Sequence, residues 1–437
     1  MKRLVVLVLA LGCGDNLPDP GTPHSGGRLR LGWWVYADGT RQLETSWYYD
    51  SALRQRCVPS DWSDGNRYCA PATDEAVYTS ASCTAALGRT PIDAAPAPYF
   101  ATTFYLKGEP LRSRVFERGP QTDAPLTVFQ KFNDGCYPTE LGDGFAYFEL
   151  GREITNLARL RRGEPRGAGE LAVVDDVSDD GLRVPVTFYD RALGVECTAA
   201  ARANVDSVEC APNDSAIVSY FHEVGCLEPE LAITGTVPTT AKQYSPLTRC
   251  WSYYDVGTEV NAPPLYEALG GTCTSVSPPN GSQFFLVAGL HQLQGVLRQR
   301  EVTTRRLAAI DLVRDDQRFA DPLLYDSALA TECWRDENDR CVPATDATIE
   351  PFFADSGCTM PLDLALVPQG ECDAPTKFAR KGDEYHPLGL WYTRTIFWLS
   401  TGDTCGIYRP PTPFNAWTVG PAIDPTMFAT ATLTIDR

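Results

Sequence analysis

The chain has 437 residues, of which 43% are hydrophobic and 22% are charged, as expected for a globular protein. Because this length exceeds what one ordinary core supports, it predicts two to four domains. The formal net charge of −18 repels nucleic acid and acidic membrane surfaces, which argues against both as partners, although it names no positive partner.

The first residues predict export. Lys2 and Arg3 precede an apolar run, Leu4 to Leu11. This run is shorter than the roughly 20 residues that span a bilayer, but it fits a signal peptide. We interpret residues 1–12 as a lipoprotein signal peptide, because Ala10-Leu11-Gly12-Cys13 resembles a bacterial lipobox. Ala10 departs from the pattern, which usually has Leu there, so an ordinary signal peptide cut further on is the alternative.

The lipobox resemblance implies that Cys13 is lipidated and anchors the chain to a membrane of the cell envelope. Gly14 gives no reason for retention at the inner membrane, which favours the outer membrane. Residues 13–27 are rich in Pro and Gly, include His24, and are predicted to form a flexible tether. No later run is long and apolar enough to span a bilayer, so the lipid is the predicted membrane attachment.

Internal repeats determine the predicted architecture. The pattern D-x-A-L-x-x-x-C, preceded by Tyr, starts at Asp50, Asp190 and Asp326. Each copy continues to C-[AV]-P, then to an aromatic residue five positions before a third Cys, and finally to a Cys followed twelve residues later by another aromatic. Repeats of this kind predict modules at residues 28–165, 166–303 and 304–437.

Within each module the local signals favour strands. Short segments rich in aromatic and β-branched residues, such as Pro98 to Leu106, Thr127 to Phe132 and Trp391 to Leu399, alternate with turn residues. The predicted fold is therefore all-β, with three tandem disulfide-stapled modules. Ile154 to Arg162 and Leu290 to Arg300 have helical spacing and are the best helix candidates.

The alternative to three modules in a row is a single β-propeller. In that arrangement each module gives two or three blades. An extensive apolar interface between the first and last modules would indicate that the modules close into one assembly and are not separate domains in a row.

The cysteines follow the repeat. The chain has 15 Cys, and Cys13 is assigned to the lipid. An even set remains, which in an exported chain predicts disulfides. Variable spacing between fixed flanks predicts hairpin bridges, and the third and fourth columns then pair. The predicted pairs are Cys57–Cys69, Cys197–Cys210, Cys333–Cys341, Cys83–Cys136, Cys226–Cys273 and Cys358–Cys405.

Two cysteines are left over by this pairing. Cys250 and Cys372 are candidates for a bridge between modules two and three. A rival pairing joins Cys358 to Cys372, which are closer along the chain. Sequence alone does not decide between them.

The lipobox, the Y-D-S-A-L to Cys segment, R-C-V-P and F-F-A-D-S-G-C-T-x-P-L together resemble an uncharacterised family. Its members are Cys-rich, tandem-module lipoproteins of myxobacteria-like bacteria. The last module carries the resemblance best, from Tyr325 to Leu362 and again at Pro375 to Ala379. The resemblance implies a cell-envelope location and implies no reaction.

No catalytic motif is present: G-x-S-x-G, H-E-x-x-H, the P-loop, G-x-G-x-x-G and C-x-x-C are all absent. His222-Glu223 before Cys226 is interpreted as part of a turn, and His291 and His386 have no predicted partner. Asp50, Asp190 and Asp326 are tempting as catalytic carboxylates. An Asp before small residues more often forms a turn by accepting hydrogen bonds from its own backbone, and we favour that interpretation.

Calcium and exposed aromatics are the remaining hypotheses. One acidic loop contains Asp61, Asp64 and Asn66, its equivalent runs from Asp336 to Asp339, and the middle module has Asn204 and Asp206 there. Because the calcium-loop spacing is missing, we favour solvated loops and predict neither metal nor cofactor. Trp33, Trp34, Trp47 and Tyr48 are expected to fill the core rather than bind a ligand.

The sequence thus predicts a non-catalytic cell-envelope lipoprotein that binds protein or polysaccharide or has a structural role. A secreted polysaccharide-active hydrolase is the alternative. A deep groove with two close carboxylates and flanking aromatics favours the hydrolase, and shallow module surfaces favour binding.

Overall fold

The computed structural model is all-β, as predicted, and the single helical element among its described residues is one 3-10 turn. No helix in this part of the chain is long and apolar enough to cross a membrane. The structure describes residues 22–106, 109–133, 135–139, 144–201, 206–221, 223–226, 231–234, 237–245, 248–260, 264–269, 272–277, 283–315, 317–373, 375–399 and 404–436.

Strands in the first part of the chain form a framework interrupted by an inserted β-domain. The first framework strands are β1 (Leu29–Arg30), β2 (Gly32–Tyr36), β3 (Arg41–Leu43), β4 (Tyr48–Asp50), β5 (Gln55–Asp61) and β6 (Arg67–Pro71). The insert contains β7 (Asp74–Tyr78), β8 (Ala86–Pro91), β9 (Tyr99–Leu106), β10 (Glu109–Thr122), β11 (Val128–Phe132), β12 (Gly135–Thr139) and β13 (Phe145–Ile154). The framework resumes with β14 (Ala158–Arg162).

The same order recurs in the second part. Its framework strands are β15 (Leu171–Ser178), β16 (Arg183–Asp190), β17 (Val195–Ala201) and β18 (Ser207–Pro212). Its insert contains β19 (Ala216–Tyr220), β20 (Leu231–Thr234), β21 (Thr240–Ser245), β22 (Cys250–Val260), β23 (Leu265–Leu269), β24 (Thr272–Val276) and β25 (Gln283–Leu290). The closing framework strand is β26 (Gly295–Arg300).

The third part repeats the order once more. Its framework strands are β27 (Leu307–Arg314), β28 (Gln317–Asp326), β29 (Thr331–Arg335) and β30 (Arg340–Pro343). Its insert contains β31 (Thr348–Phe353), β32 (Pro361–Pro368), β33 (Phe378–Lys381), β34 (Glu384–Trp391), β35 (Ile396–Leu399), β36 (Cys405–Tyr408) and β37 (Phe414–Val419). The 3-10 turn η1 (Pro425–Met427) leads into β38 (Ala429–Ile435).

Strand pairing joins the three framework parts into one closed circuit. β14 pairs with both β6 and β15, β26 pairs with both β18 and β27, and β38 pairs with both β30 and β2. The circuit ends on β1 and β2, which only Leu31 separates along the chain. The modules are therefore linked by shared ladders. Propeller blades are separate sheets around a channel, so the propeller alternative is not shown.

Each joint between modules has its own apolar cluster. The first combines Leu29, Tyr48 and Leu160 with Leu182 and Val184, from the next module's hairpin. The second is built in the same way around Leu171, Phe188 and Leu312, and the third packs Leu307 and Leu324 against Trp34 and Tyr36. The third cluster is an apolar interface between the last and first modules. Full burial of each Leu contributes about 1.5–3 kcal/mol.

Turn aspartates at the hairpin tips reinforce these joints. Asp38 Oδ2 accepts a hydrogen bond from the backbone N–H of Leu307 at 2.8 Å, and Asp180 Oδ2 accepts from Leu29 N–H at 2.8 Å. At the joint between the second and third modules, the carboxylate of Asp315 lies directly against Gly169, where a Cβ would collide with it. The tip of each hairpin thus contacts the start of the preceding module in the circuit.

The inserted domains share one topology. The second insert is a closed barrel in the order β19-β20-β25-β22-β21, in which β19 and β21 are parallel. The ladders of the first insert follow the same circuit through β7, β8, β13, β10 and β9, and those of the third do so through β31, β32, β37, β34 and β33. An extra hairpin leaves each barrel: β11–β12, β23–β24 and β35–β36.

Seven disulfides fix this arrangement. Six are the column pairs that the spacing predicts, and the seventh is the candidate bridge Cys250–Cys372 between modules two and three. The seven are Cys57–Cys69, Cys83–Cys136, Cys197–Cys210, Cys226–Cys273, Cys250–Cys372, Cys333–Cys341 and Cys358–Cys405. The rival Cys358–Cys372 pairing is wrong, because Cys372 instead joins the second insert to the third. The first pair of each module is buried in its apolar cluster.

Three local predictions are corrected. The helix candidates Ile154 to Arg162 and Leu290 to Arg300 are strand segments, belonging to β13, β14, β25 and β26. The predicted strand Trp391 to Leu399 is interrupted, because β34 ends at Trp391 and β35 begins at Ile396. Pro98 to Leu106 and Thr127 to Phe132 correspond to β9 and β11.

The predicted tether is also shorter than residues 13–27. His24 exchanges backbone hydrogen bonds with Arg183 at 3.0 Å in both directions, and Ser25 Oγ donates to Asp436 at 2.9 Å. The end of the predicted tether is thus hydrogen-bonded to the framework. The tether's residues up to 21, Cys13 among them, lie outside the described part of the chain. The module bounds 28–165, 166–303 and 304–437 stay a prediction.

Candidate ligand-binding site

The repeated aspartates are turn formers. Asp50 Oδ1 accepts hydrogen bonds from Ala52 N–H at 2.9 Å and Leu53 N–H at 3.2 Å. Asp190 and Asp326 accept from the equivalent backbone N–H groups. All three are buried, so they lie in the framework rather than on a ligand-accessible wall.

The histidines that the structure describes do not form a cluster. His291 Nδ1 lies 2.7 Å from Asp255, whereas His386 Nδ1 lies 3.0 Å from the Gly420 carbonyl oxygen. His222 is outside the described residues, while Glu223 lies in the turn before Cys226.

The acidic loops use their carboxylates locally. Asp64 accepts from Asn66 N–H at 2.9 Å and from the Tyr68 hydroxyl at 2.8 Å. Asp336 accepts two hydrogen bonds from the Arg340 guanidinium, at 2.9 and 2.6 Å. Across the described residues, no group of three or more His, Cys, Asp or Glu side chains is arranged to hold a metal ion. Asn204 lies outside this part of the chain.

The aromatic residues near the start fill the core. Trp34, Trp47 and Tyr48 are buried, as expected. Trp33 is half-buried, packs against the first cluster, and carries the Arg41 guanidinium 4.3 Å from its ring centroid. These residues therefore stabilise the framework.

A cavity of about 490 Å³ opens between the framework and the barrel of the first module. This volume lies within the range of small-molecule sites, about 300–1,000 Å³. The end of β5, the start of β7, and facing parts of β9 and β10 form its wall. The lining residues are Ser60, Asp61, Thr73, Asp74, Glu75, Ala101, Thr103, Tyr105, Pro110, Leu111 and Arg112.

Strand geometry explains this wall. Side chains two residues apart in a strand share a face, so β9 presents Ala101, Thr103 and Tyr105 together. Ala101 also belongs to the apolar cluster with Trp62 and Val115 that fixes the barrel to the framework. The cavity is therefore held by packed elements on both sides.

An aromatic row extends from the cavity along the β11–β12 hairpin. Tyr105 stacks on Phe132 with ring centroids 5.2 Å apart, and Phe132 meets Tyr137 edge-on at 5.7 Å. Tyr137 is 45% exposed, so the row runs from the cavity wall to solvent. Burial, and secondarily the Glu75 carboxylate, raises the pKa of Tyr105, which keeps its phenol neutral.

The carboxylates of the wall have partners. Asp74 accepts from the Thr90 hydroxyl at 2.5 Å and from Ala97 N–H at 3.1 Å. Glu75 pairs with Arg89 at 2.5 Å. Asp61 is largely exposed and lies 3.9 Å from Arg67.

Arg112 is the cation of the wall. Its Nη1 donates to the Pro71 carbonyl oxygen at 3.5 Å, and burial lowers its pKa. No sequence motif marks this site. The strand β9 was predicted, but the approach of β5 and β7 to it was not.

A second cavity of about 520 Å³ lies elsewhere on the same barrel. Its wall includes Pro91, Ile92, Asp123 and Phe145. Tyr147 and Phe148 also line it, but both are buried, whereas the aromatic row beside Tyr105 reaches solvent at Tyr137. The cavity beside Tyr105 is therefore the stronger candidate.

Residues 5–428 match the model of a family of unknown function, DUF7481. The chain belongs to this family. The match spans the repeated framework and all three inserts, which supports the expectation of an uncharacterised family. No curated protein and no solved structure is significantly similar to the chain.

Proposed function

We propose that this DUF7481 member is an exported, lipid-anchored protein of the cell envelope that binds saccharide chains without cleaving them. The observation that carries the binding role is the cavity beside Tyr105 with its row of aromatic rings. Aromatic faces stack on sugar rings, and hydroxyl-bearing side chains such as Ser60, Thr73 and Thr103 suit hydroxylated ligands.

The envelope location is supported by the N-terminal segment and by the disulfides. The signal-peptide pattern ends at Cys13, and the seven bridges suit an oxidising compartment. The resemblance to Cys-rich lipoproteins of myxobacteria-like bacteria agrees with this location. We propose the outer membrane because Gly14 gives no reason for inner-membrane retention.

Substitution of the anchor residue tests the location. We expect Cys13→Ser to move the chain from the membrane fraction to the soluble exported fraction, because the acyl chains supply the membrane affinity. Separation of the membranes on a density gradient then identifies the membrane that holds the wild type. A wild-type chain that is soluble after cell lysis contradicts the anchor.

A secreted hydrolase is the second candidate, because three carboxylates line the same cavity. Glycoside hydrolysis needs two carboxyl groups about 5–10 Å apart, one as proton donor and one as nucleophile or base. Asp74 is held by Thr90 and Ala97, and Glu75 is paired with Arg89. Because these contacts already engage both carboxylates, we expect the two side chains to hold the wall in place rather than to transfer protons. We therefore favour binding over hydrolysis.

The binding role is tested with the purified chain and a panel of neutral and acidic polysaccharides. We expect at least one to raise the melting temperature, since a ligand of the native state stabilises it. Tyr105→Ala should weaken that binding about tenfold, equivalent to about 1.4 kcal/mol. Trp391→Ala, which removes an exposed aromatic from the third module, is the matched control and should leave binding unchanged.

Two outcomes contradict the proposal. Flat melting curves with every polysaccharide, or binding that is indifferent to Tyr105→Ala, exclude this cavity as the saccharide site. Release of reducing ends from a bound polymer establishes the hydrolase instead.

A further inference from the structure

Arg112, on the wall of the proposed saccharide site, lacks the carboxylate partners that the largely buried Arg298 has. The Arg112 side chain lies on the cavity wall near the start of β10 and is half-buried. Within the described part of the chain, its side chain has one hydrogen bond, to the Pro71 carbonyl oxygen at 3.5 Å. Of the carboxylates that the structure describes, none lies within ion-pair distance of the guanidinium.

Arg298, by contrast, is a largely buried arginine of this fold whose positive charge is paired with carboxylates. It donates to Asp321 at 3.0 Å and to Glu332 at 2.7 and 3.0 Å. Despite burial, these carboxylates raise the pKa of Arg298, whereas burial alone acts on Arg112 and lowers its pKa. The charge of Arg112 is thus desolvated without the partners that normally accompany such burial.

The carboxylates of the same wall are committed elsewhere. Asp74 is held by Thr90 and Ala97, Glu75 by Arg89, and Asp61 faces solvent near Arg67. These three carboxylates still give the cavity wall a negative charge, which repels densely anionic polymers. A ligand whose anionic groups are widely spaced among neutral hydroxyls fits both features, because one such group reaches Arg112.

We propose that Arg112 binds the carboxylate of a uronic acid residue and so makes the site selective for uronic acid-containing saccharides. This inference rests on the proposed saccharide-binding function. A guanidinium presents a planar fork that matches a carboxylate in two parallel hydrogen bonds. Tyr105 and the hydroxyl side chains of the wall then contact the sugar ring.

The test uses two probes that differ only in one substituent of the uronic acid ring, which is a carboxylate in one and a neutral alcohol in the other. One is a hexasaccharide of alternating glucuronic acid and N-acetylglucosamine, and the other is the same compound with its carboxylates reduced to alcohols. Calorimetric titration of the purified full chain should show at least tenfold tighter binding of the acidic probe. Heparin, a dense polyanion, should bind more weakly than the acidic hexasaccharide.

Two substitutions assign the preference to Arg112. Arg112→Gln should reduce the affinity for the acidic probe to that for the reduced one, and Arg112→Lys should restore part of the difference. Arg118→Gln, an exposed arginine on the same strand, is the matched control and should leave the preference intact. Because Arg112→Gln removes an uncompensated charge, its melting temperature should equal or exceed that of the wild type.

The outcomes separate this inference from the function on which it rests. Equal binding of both probes by the wild type, or a preference that survives Arg112→Gln, overturns the role of Arg112 and leaves saccharide binding in place. A fall of more than about 5 °C in the melting temperature of Arg112→Gln makes Arg112 structural and also overturns it. No binding of either probe, with flat curves across the wider panel, removes the saccharide site itself.

Discussion

At the scale of single residues, one repeated aspartate has two different environments. In addition to the hydrogen bonds of the turn, Asp50 accepts two from Arg28 and Asp326 accepts three from Arg306. Asp190 occupies the same turn, but Glu170 stands where the other modules have the arginine. Among the described residues no arginine lies within ion-pair distance of Asp190.

This difference predicts unequal costs for one substitution. Asn keeps the Oδ1 acceptor of the turn and removes the charge. We expect Asp190→Asn to lower the free energy of unfolding by about 1 kcal/mol or less. Asp50→Asn and Asp326→Asn should cost about 3–5 kcal/mol, because each leaves a partly buried arginine unpaired. Denaturant unfolding of the three variants measures the difference, and three equal costs would show that the arginines contribute nothing.

The same turns hold a second repeated feature. The residue after the Leu of the D-x-A-L pattern has a left-handed backbone in all three modules, with φ of 55° at Arg54, 74° at Gly194 and 51° at Ala330. Only the middle module has the glycine that this conformation favours. The other two retain the conformation because Asp50 and Asp326 hold the turn.

At the scale of elements, the strands that close the first two modules have apolar spacings that resemble those of helices. Ile154, Leu157 and Leu160 have helical spacing, which led to the helix prediction. In β14, however, Ala158 and Leu160 are buried and Arg159 and Arg161 are exposed, which is the alternation of a strand. In β26, Val296 is buried and Leu297 exposed. So short a segment contains too few apolar residues for periodicity to distinguish the two structures.

These closing strands also bring charge into the joints. Arg162 in β14 pairs with Asp176 at 2.6 Å and with Glu196 at 3.2 Å. Arg298 in β26 is placed similarly, between Asp321 and Glu332. At the joint between the third and first modules, Leu433 of β38 pairs with Trp34 instead. This joint has an ion pair as well, because Arg335 of β29 pairs with Glu44 of the first module at 3.2 Å and lies over the Trp34 ring.

At the scale of the whole molecule, the closed circuit depends on contacts between residues far apart in sequence. Asp38 and Asp180 join hairpin tips to other modules. Burial favours a raised pKa, but hydrogen bonds from Leu307 N–H and Thr40 outweigh it and hold the pKa of Asp38 below its ordinary value. Burial also favours a raised pKa at Asp180, but hydrogen bonds from the Ser178 hydroxyl and from the Arg28 and Leu29 N–H groups outweigh it and lower the pKa.

These shifts predict acid sensitivity of the circuit. A carboxylate whose pKa is lower in the fold stabilises it above its unfolded pKa, about 3.9, and this contribution is lost as the pH falls through the folded value. Asp38→Asn and Asp180→Asn should each cost about 1.5 kcal/mol at pH 7. They should also flatten the loss of stability below about pH 4.

Unfolding free energies measured between pH 2 and pH 7 check this expectation. Asp123→Asn, at an exposed position of the first barrel, is the control and should reproduce the wild-type curve. A double variant with an unchanged acid slope would mean that the tip aspartates do not determine the acid stability of the circuit.

Three properties can be predicted from the sequence: the repeat, the all-β class and the pairing of the cysteine columns. These properties are local or repeated: alternation within β9, the turn formed by Asp50, and the fixed flanks around Cys57 and Cys69 each lie within short segments. The tertiary structure alone decided the closed circuit, the barrel topology and the cavity beside Tyr105. Their physical cause is packing between segments far apart in the chain, such as β38 on β2 and Arg112 beside Ser60, and no local pattern encodes that proximity.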